Sequence, residues 1–372
     1  MKRLDVKIVN KDKEYPIFIG DKVFCELRRF ILKEKKHKKI VIITDHNVKS
    51  LYSDRISEEL KPLKYEFISV FPGEKSKSRK IKEKIENILL DKKYGRDTLI
   101  ISLGGGVIGD LAGFIAATFK RGVSLINIPT TLLAMSDASI GGKNAINTKH
   151  GKNMIGTFLQ PDSVFIDISF LDTLPAEELM NGLIESIKMS VILDKDLFYF
   201  IETNLEKILS RDKITLFNLI VKSIKLKKYV FEKDPFDLGL RHILNFGHSF
   251  GHAYELYTNY KVKHGFSVSL GMIVESQISV ILGLLPEVEK MRIINLLRKM
   301  NVFSYLDKEL DVDRLLNYLS EDKKNKYKRN YFVIIKSIGQ AKKKENIYSF
   351  LVEKKIVREA ILFLKNEKNR HK

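Results

Sequence analysis

Histidine and glutamate residues in the second half of the chain have the types and spacing of a metal site. Three of the eight histidines, His248, His252 and His264, fall within seventeen residues. The first two share one face if their segment is helical. Glu185 and Lys188 lie three residues apart in the helix-like motif GLIESIK. One carboxylate and two imidazoles leave a coordination position open, as in catalytic zinc sites, and cobalt suits the same donors. Spacing alone leaves open whether His248 or His252 is the ligand, and a histidine pair on a helix also occurs without a metal.

A glycine-rich turn in the first half has the features of a phosphate site. The segment LGGGVIGD, residues 103–110, follows an apolar strand pattern and opens a helix pattern. Glycines let the backbone approach a phosphate, and a helix N-terminus supplies free N–H groups. The segment is neither a P-loop nor G-x-G-x-x-G, whose third glycine would fall on Ile108. The next predicted strand ends in Pro129-Thr130-Thr131, at the sheet edge where open α/β folds bind ligands. We therefore expect a dinucleotide across the turn and these hydroxyls; a tight turn without a ligand is the alternative.

A stretch rich in lysine and asparagine, residues 136–156, could bind an anion. It places Asp137, Lys143, Asn147, Lys152 and Asn153 among four glycines. Lysines and amides supply the donors that a phosphate or a carboxylate needs. A solvated loop is the alternative. We expect a packed segment because apolar residues lie in and beside it: Ile140, Ile146, Met154, Ile155 and Phe158.

The elements that must position these residues change character near residue 172. Apolar, β-branched strand patterns alternate with helical spacing in the first half, which predicts an α/β fold with a mostly parallel sheet. The strand patterns lie at 4–9, 15–19, 39–45, 65–71, 98–106, 123–129 and 163–168, with a helix at 77–91. Helical spacing then dominates, at 174–191, 196–208, 213–233, 248–258, 265–283, 286–299 and 311–319, with one late strand or hairpin arm at 331–339. We expect a nucleotide-binding domain over 1–172 and a mainly α-helical domain over 173–372.

Composition excludes several classes of protein. The 372 residues carry a net charge of +20, which is either a solvated lysine surface or a field that attracts a small anionic substrate. The lysines are spread along the chain, so we expect no nucleic-acid partner. No apolar run is long enough to span a membrane, and the first twenty residues lack the apolar core of a signal peptide. The single cysteine, Cys25, excludes an internal disulfide, and we expect a cytoplasmic protein.

Several motifs in one order carry a family resemblance between about Asp45 and Gly339. They are PGEKSK (72–77), LGGGVIGDLAGFIAATFKRG (103–122), IPTTLLAMSDASIGGKNAIN (128–147), GKNMIGTFLQP (151–161), NGLIESIK (181–188), LRHILNFGHSFGHAYE (240–255) and HG (264–265). The chain resembles the 3-dehydroquinate synthase family of sugar phosphate cyclases. The resemblance implies conversion of 3-deoxy-D-arabino-heptulosonate 7-phosphate to 3-dehydroquinate and phosphate, a lyase reaction of the shikimate pathway. It also implies transient oxidation by NAD, β-elimination, re-reduction and an intramolecular aldol step.

The same resemblance implies a role for individual residues. The implied NAD contacts are Asp45, Asn47, Glu74, Lys77, Gly105, Gly106, Val107, Asp110, Thr130, Thr131, Lys143, Lys152, Phe170 and Thr173. The implied ligands of Zn²⁺ or Co²⁺ are Glu185, His248 and His264, which leaves His252 facing the substrate. The implied substrate contacts are Arg121, Asp137, Lys143, Asn153, Lys188, Lys227, Arg241 and Asn245, and His252 and Asp237 are implied in proton transfer. Arg121 is expected to reach the partner subunit's site, which requires a homodimer. Lys323 and Lys324 resemble a late DKK motif.

Departures from the family pattern and competing functions qualify this hypothesis. Asp237 stands where the family usually has glutamate, Pro235 replaces an acidic residue, and Asn144-Ala145 follows the GGK motif. A relative that cyclises another sugar phosphate, a metal-dependent polyol dehydrogenase and a basic nucleic-acid-binding protein are the alternatives. The lysine and asparagine donors argue against the dehydrogenase. Arg241 favours the heptulosonate, because a guanidinium pairs bidentately with a carboxylate. Its spacing from Asn245 and His248 would keep all three on one side of a single helical path.

Overall fold

The first half of the chain is built on a six-stranded parallel sheet. The computed structural model describes residues 14–34, 39–321 and 331–369. The strands are β1 (Ile17–Gly20), β2 (Lys39–Asp45), β3 (Tyr65–Val70), β4 (Thr98–Gly104), β5 (Ser124–Pro129) and β8 (Ser163–Asp167), in the order β1-β8-β5-β4-β2-β3. The connecting helices are α1 (Phe24–Glu34), α2 (His46–Glu59), α3 (Arg79–Asp91) and α4 (Gly106–Thr118). The α/β fold class is confirmed; the strand predicted at 4–9 lies outside the described residues.

The sheet is buried on both faces, which explains its continuous apolar strands. All seven residues of β4 are buried, as parallel sheets covered by helices require. Along β2, Val41 and Ile43 pack into a cluster with α3 and α4. Ile40 and Ile42 pack on the other side, in a cluster that continues through α1 and α2 into the second half of the chain. One face of the sheet therefore shares a hydrophobic core with the helical second half of the chain.

An antiparallel hairpin, which the sequence analysis did not predict, lies beside α4. Its strands are β6 (Lys143–Thr148) and β7 (Gly151–Phe158). Ile140 and Ile146 are buried and Ile155 packs against the core, so the expected packed segment is confirmed at these positions, whereas Met154 and Phe158 are 46% and 48% exposed. The physical reason is that a two-stranded hairpin covers a neighbouring helix with one face only, which leaves the other face to solvent.

The Asn144-Ala145 departure stabilises the base of this hairpin. Asn144 is buried, and its Nδ2 donates to the carbonyls of Gly142 at 2.8 Å and Leu159 at 3.2 Å. Its Oδ1 lies against Gly113 of α4, where a Cβ would come within 1.8 Å. Asn144 therefore fastens the hairpin to the helix that follows the glycine turn.

The second half is mainly helical, as predicted. Its helices are α5 (Ala176–Leu193), α6 (Lys195–Leu209), α7 (Lys213–Lys233), α8 (His248–Tyr257), α9 (His264–Ile281), α10 (Glu287–Lys299), α11 (Val312–Glu321) and α12 (Lys354–Asn369). The late strand segment contains β9 (Tyr331–Phe332) and β10 (Ile335–Ser337), which pair with β12 (Phe350–Leu351) and β11 (Gln340–Ala341) respectively. Helix α12 was not predicted, and Lys323 and Lys324 lie outside the described residues. No helix within the described ranges is both long and apolar enough to cross a bilayer.

Candidate functional site

A carboxylate and three imidazoles meet where α5, α8 and α9 converge. Oε1 of Glu185 lies 3.9 Å from Nε2 of His248 and 3.7 Å from Nε2 of His264. Glu185 is buried, and this oxygen has no hydrogen-bond partner among the described residues. His252 completes the group, since the ligand atoms of the three histidines lie within 4.8 Å of one another. A buried, unpartnered acceptor facing two imidazole nitrogens fits a divalent cation, because leaving such an atom unmatched is costly.

The imidazoles are oriented as metal ligands are. Nδ1 of His248 lies 3.1 Å from the carbonyl of Phe246, and Nδ1 of His264 lies 3.6 Å from Oε1 of Glu255. A proton on each Nδ1 leaves the Nε2 lone pair directed at Glu185, the arrangement that outer carboxylates and carbonyls impose on ligating histidines. Burial, reinforced by Lys188 and the other imidazoles, lowers the pKa of His248 well below its usual range. His248 is therefore a neutral imidazole, the form that binds metals.

Close packing around small residues fixes these helix starts. Gly247 precedes α8 with a φ of 75°, and a Cβ there would lie 2.6 Å from the carbonyl of Val268 in α9. Gly265 follows His264 and packs equally closely on α5, where Asn181 Oδ1 accepts its backbone N–H at 2.7 Å. Since Asn181 and Glu185 share one helix, this bond sets the position of His264 relative to Glu185.

One expectation about this region was wrong. Arg241, Asn245 and His248 do not follow a single helical path. A 3-10 helix, Leu240–Asn245, ends before Phe246, which is not helical, and the left-handed Gly247 then starts α8 in a new direction. The break arises because the positive φ of Gly247 cannot belong to a right-handed helix. Arg241 and His248 therefore reach this region from two separate elements.

Buried cations lie beside the carboxylate and imidazole group, each held by a protein oxygen. Lys188 is paired with Glu185, and Lys227 of α7 is paired with Asp137 at 2.5 Å. Burial would raise the pKa of Asp137, but Lys227 and Lys188 lower it to about 2. Burial also lowers the pKa of Arg241, whose guanidinium donates to the carbonyls of Gly141 at 3.3 Å and Pro235 at 3.2 Å. We name Lys188, Lys227 and Arg241 the cation cluster. An anionic ligand that displaced their present protein acceptors would be neutralised by these three charges.

A short loop closes over the cation cluster. Asp234 organises it, because its carboxylate accepts the backbone N–H groups of Leu238 at 2.8 Å, Gly239 at 2.8 Å and Arg241 at 2.9 Å. Asp237, in the left-handed region with a φ of 62°, pairs with Lys143 of β6. The shorter carboxylate of this departure from the family pattern therefore still contacts a predicted site lysine.

The glycine turn lies at the carboxyl edge of the sheet, as predicted. Gly105 caps α4 without any side-chain hydrogen bond, so no capping side chain occupies the N–H groups of the first turn. A Cβ on Gly105 would lie 3.1 Å from Cγ2 of Thr131, so a larger residue would fill the space between β4 and β5. Thr130 N–H donates to the Gly104 carbonyl at 3.0 Å. This uncharged cradle at a helix N-terminus fits a pyrophosphate.

Charged residues link the glycine turn to the hairpin. Lys77 forms an ion pair with Asp110 in α4 and donates to Oδ1 of Asn153 in β7. Burial raises the pKa of Asp110, and Lys77 opposes that effect. Nδ2 of Asn147 donates to Oε1 of Glu74 at 2.8 Å. The backbone N–H of Asn153 donates to Oδ1 of Asn147 at 2.9 Å, so four residues that the resemblance implies for nucleotide or substrate form one connected group with Asn147.

Three other predicted nucleotide contacts, Asp45, Phe170 and Thr173, lie at helix α2. Asp45 lies at the end of β2 and caps α2, accepting from the N–H of Asn47 at 2.9 Å. Phe170 is fully buried against Tyr52, and the Thr173 hydroxyl contacts the Tyr52 hydroxyl. These two side chains therefore pack against α2.

Arg121, unlike the glycine turn, lies at the C-terminal end of α4. It is exposed, with a φ of 67°, and follows the thirteen-residue helix whose first turn is the glycine turn. Such a helix is about 20 Å long. The structure therefore does not bring Arg121 to the site edge of its own sheet.

Three polar residues with clear structural roles here were missed by the sequence analysis: Asn181, Asp234 and Glu255. Asn181 and Glu255 lie inside quoted motifs, so position within the motif was the only available signal. Glu255 is buried, and its carboxylate contacts Nζ of Lys152 at 2.9 Å as well as His264. Burial would raise its pKa, but His264 and Lys152 lower it to about 2.

Comparison with known proteins gives matches over both halves. Residues 67–181 match the family described as 3-dehydroquinate synthase N-terminal, and residues 182–325 match 3-dehydroquinate synthase C-terminal. The 3-dehydroquinate synthase of Caldanaerobacter subterraneus subsp. tengcongensis is 39% identical over 339 residues, covering 90% of this chain and 95% of the relative.

Solved structures with similar folds are known as well. A 2-deoxy-scyllo-inosose synthase complexed with carbaglucose-6-phosphate, NAD⁺ and Co²⁺ has a TM-score of 0.86 at 26% identity, covering 93% of this chain and 95% of that one. A 2-epi-5-epi-valiolone synthase from Streptomyces hygroscopicus subsp. jinggangensis with NAD⁺ and Zn²⁺ bound has a TM-score of 0.87 at 24% identity, covering 98% of this chain and 100% of that one.

Proposed function

The chain belongs to the 3-dehydroquinate synthase family, and from that premise we propose that it converts 3-deoxy-D-arabino-heptulosonate 7-phosphate to 3-dehydroquinate and phosphate. This lyase reaction belongs to the shikimate pathway and aromatic biosynthesis. The observation that carries the proposal is the unpartnered oxygen of Glu185, which faces two imidazoles beside the cation cluster. A divalent ion and a doubly anionic substrate are the ligands that these groups suit.

NAD and a divalent cation are the proposed cofactors. The glycine turn, Thr130 and Thr131 would hold the nucleotide, and Glu185, His248 and His264 would hold Zn²⁺ or Co²⁺. When bound, NAD supplies a reversible hydride acceptor and the ion supplies Lewis acidity at a substrate hydroxyl. The related 2-deoxy-scyllo-inosose synthase was solved with NAD⁺ and Co²⁺, which supports both assignments. The other proposed nucleotide contacts are the residues that the family resemblance implies for NAD.

The chain's own residues would bind the substrate by exchange of partners. Lys188, Lys227 and Arg241 already have protein acceptors, so an incoming phosphate or carboxylate takes the place of those acceptors. Asp137, Lys143, Asn153 and Asn245 are the further proposed contacts. Such preformed donors position the substrate without much reorganisation, which is the main contribution expected of the protein.

Proton transfer would fall to His252 and Asp237. The ring of His252 lies 5.3 Å from that of His248 and 5.7 Å from that of His264, beside the proposed metal ligands. Asp237 holds Nζ of Lys143 in the structure and could exchange that lysine for a substrate group. Both side chains would hold or move a proton at the substrate's hydroxyls, which is general acid–base catalysis.

A homodimer with shared sites is the proposed assembly. The support is the position of Arg121 at the far end of α4, where it is exposed and distant from the edge that carries the glycine turn. Mixing an Arg121→Ala chain with a Lys188→Ala chain should restore part of the activity through hybrid sites. Hybrids that form without regaining activity would contradict the shared site. We place the protein in the cytoplasm, as expected for a biosynthetic enzyme of this family.

The direct test follows phosphate and NADH together. Protein with Zn²⁺, NAD and the heptulosonate phosphate should release inorganic phosphate without net NADH formation. A hexose 6-phosphate serves as the matched control, since it lacks the carboxylate that Arg241 suits. If phosphate is released from the hexose phosphate but not from the heptulosonate phosphate, a different sugar phosphate cyclase is favoured. Accumulation of NADH would favour a dehydrogenase.

A further inference from the structure

Glu255 lies beside one residue assigned to each proposed cofactor, His264 for the metal and Lys152 for the nucleotide. It belongs to α8, one helical turn after His252, and its side chain is 3% exposed. The same oxygen, Oε1, lies 3.6 Å from Nδ1 of His264 and 2.9 Å from Nζ of Lys152. One carboxylate oxygen therefore serves a proposed metal ligand and a lysine of the hairpin.

Lys152 belongs to β7 of the hairpin, which packs beside α4, the helix that begins at the glycine turn. Its neighbour in β7, Asn153, accepts from Lys77, and Lys77 forms an ion pair with Asp110 in α4. Nζ of Lys152 also lies 4.4 Å from the centre of the Tyr260 ring, and its side chain is 32% exposed, so a ligand can reach it. The family resemblance assigns Lys152 to the nucleotide, so a bound nucleotide phosphate would compete with Glu255 for this lysine.

We propose that Glu255 is a positioning residue that couples metal binding at His264 to nucleotide binding through Lys152. The proposal rests on the proposed function, because it assumes that both cofactors bind where that function places them. When a nucleotide phosphate attracts Lys152, Oε1 is left to accept from Nδ1–H of His264 alone. That hydrogen bond orients the ring and makes Nε2 a stronger electron-pair donor to the metal. NAD should therefore tighten metal binding. By linkage, metal should tighten NAD binding by the same factor.

Zinc affinity, measured by competition with a chelating dye, tests the positioning role. Glu255→Gln keeps the size of the side chain and removes its charge, and it should weaken Zn²⁺ binding by about tenfold or more. Glu367→Gln is the matched control, because Glu367 is also 3% exposed and pairs with Arg298 in a different part of the fold. The control should leave Zn²⁺ affinity unchanged. Equal affinity in Glu255→Gln and the original chain would overturn the proposal.

Repeating the titrations with saturating NAD tests the coupling. NAD should tighten Zn²⁺ binding about fivefold in the original chain, at the low end of known couplings, and should have no such effect in Glu255→Gln. Lys152→Met should bind Zn²⁺ without NAD as tightly as the original chain does with NAD. The same fivefold effect of NAD in Glu255→Gln would overturn the coupling.

Failure of the proposed function would look different from failure of this inference. An original chain that binds neither Zn²⁺ nor NAD would contradict both. An original chain that binds both, with a Glu255→Gln variant that behaves identically, would overturn only the role of Glu255.

Discussion

The glycine turn and the cation cluster solve the problem of binding an anionic ligand in different ways. The turn uses backbone N–H groups at the start of α4 and contains no charged side chain until Asp110. The cation cluster uses buried Lys188, Lys227 and Arg241, which come from α5, α7 and the 3-10 helix before α8. The first site comes from one continuous segment, and the second comes from segments up to 53 residues apart along the sequence (241 − 188).

The difference shows where each site is sensitive to change. A backbone cradle depends on the absence of side-chain volume, so an added methyl group should impair it. A buried charge cluster depends on balanced partners, because an unpaired buried ion costs several kcal/mol. We therefore expect ligand binding to be most sensitive to changes of charge in the cation cluster and to changes of side-chain volume at the glycine turn.

The largest effect is expected at Glu185. Glu185→Gln removes the carboxylate that faces both imidazoles, so Zn²⁺ affinity should fall by more than about a hundredfold, and kcat/KM by about a thousandfold, if the ion supplies several kcal/mol of transition-state stabilisation. NAD affinity should fall much less. Dye competition and steady-state kinetics measure the two effects.

A control for folding is needed, because Glu185→Gln leaves Lys188 buried without its partner. The double variant Glu185→Gln with Lys188→Met restores charge balance and should recover much of the stability but none of the metal binding. Zn²⁺ affinity equal to that of the original chain in either variant would contradict the metal assignment.

Arg241 should show the next largest effect. Arg241→Lys loses the planar fork that now spans the carbonyls of Gly141 and Pro235. At about 1.5–3 kcal/mol per charged hydrogen bond, kcat/KM for the heptulosonate phosphate should fall roughly tenfold to several hundredfold. Zn²⁺ and NAD affinities should change little.

Arg298→Lys is the matched control, since Arg298 pairs with Glu367 in another part of the fold. An unchanged kcat/KM in Arg241→Lys, or an equal loss of NAD affinity, would mean that Arg241 is structural and would reopen the choice of substrate.

A smaller effect is expected from one methyl group at the turn. Gly105→Ala places a Cβ 3.1 Å from Thr131, and overpacking of this kind costs about 1–3 kcal/mol. NAD binding, measured by calorimetry, should weaken about tenfold while Zn²⁺ binding stays constant. Gly109→Ala on the same helix has its Cβ 4.0 Å from the nearest atom, Ser102 Oγ, and should leave NAD affinity unchanged. Equal behaviour of the two variants would argue against a phosphate at the turn.

The smallest effect concerns acid stability. The pKa of Asp137 is about 2 in the folded chain against an ordinary value of 3.8, so its contribution to stability is present above pH 4 and is lost as pH falls towards 2. The free energy of unfolding should lose about 1 kcal/mol from this group between pH 5 and pH 3. Urea titrations of Asp137→Asn should show a shallower decline over that range. An identical decline in both proteins would show that the Lys227 pair does not govern acid sensitivity.

The sequence predicted the turn and the sheet better than the cluster, for a physical reason. Strands β2, β4 and β5 are mostly apolar, and the carboxyl ends of parallel strands meet at one edge. The positions of Gly105, Thr130 and Thr131 follow from these local patterns. The histidine and glutamate motif was also visible, because two of its members lie on one helix turn.

Other features had weaker signals. Helix α12 buries Val357, Ile361 and Leu364 at helical spacing, so its signal was present but was not used. The hairpin had little alternation to indicate strands, and its apolar Met154 and Phe158 suggested burial, although both are about half exposed and Phe158 contacts Phe236 at the surface. The roles of Asn181 and Glu255 depend on partners that lie 84 and 103 residues away along the chain, which one sequence cannot show.

Strand β1 has a consequence for how the chain is made. Among residues 14–34, 39–321 and 331–369, its strand partner is β8, with Ile17 opposite Val164. A ribosome adds about 5–20 residues per second, so β1 waits roughly 7–30 s for its partner to be synthesised. During that time the edge of β1 that later pairs with β8 is open to other nascent chains, so strand pairing between chains would compete with folding.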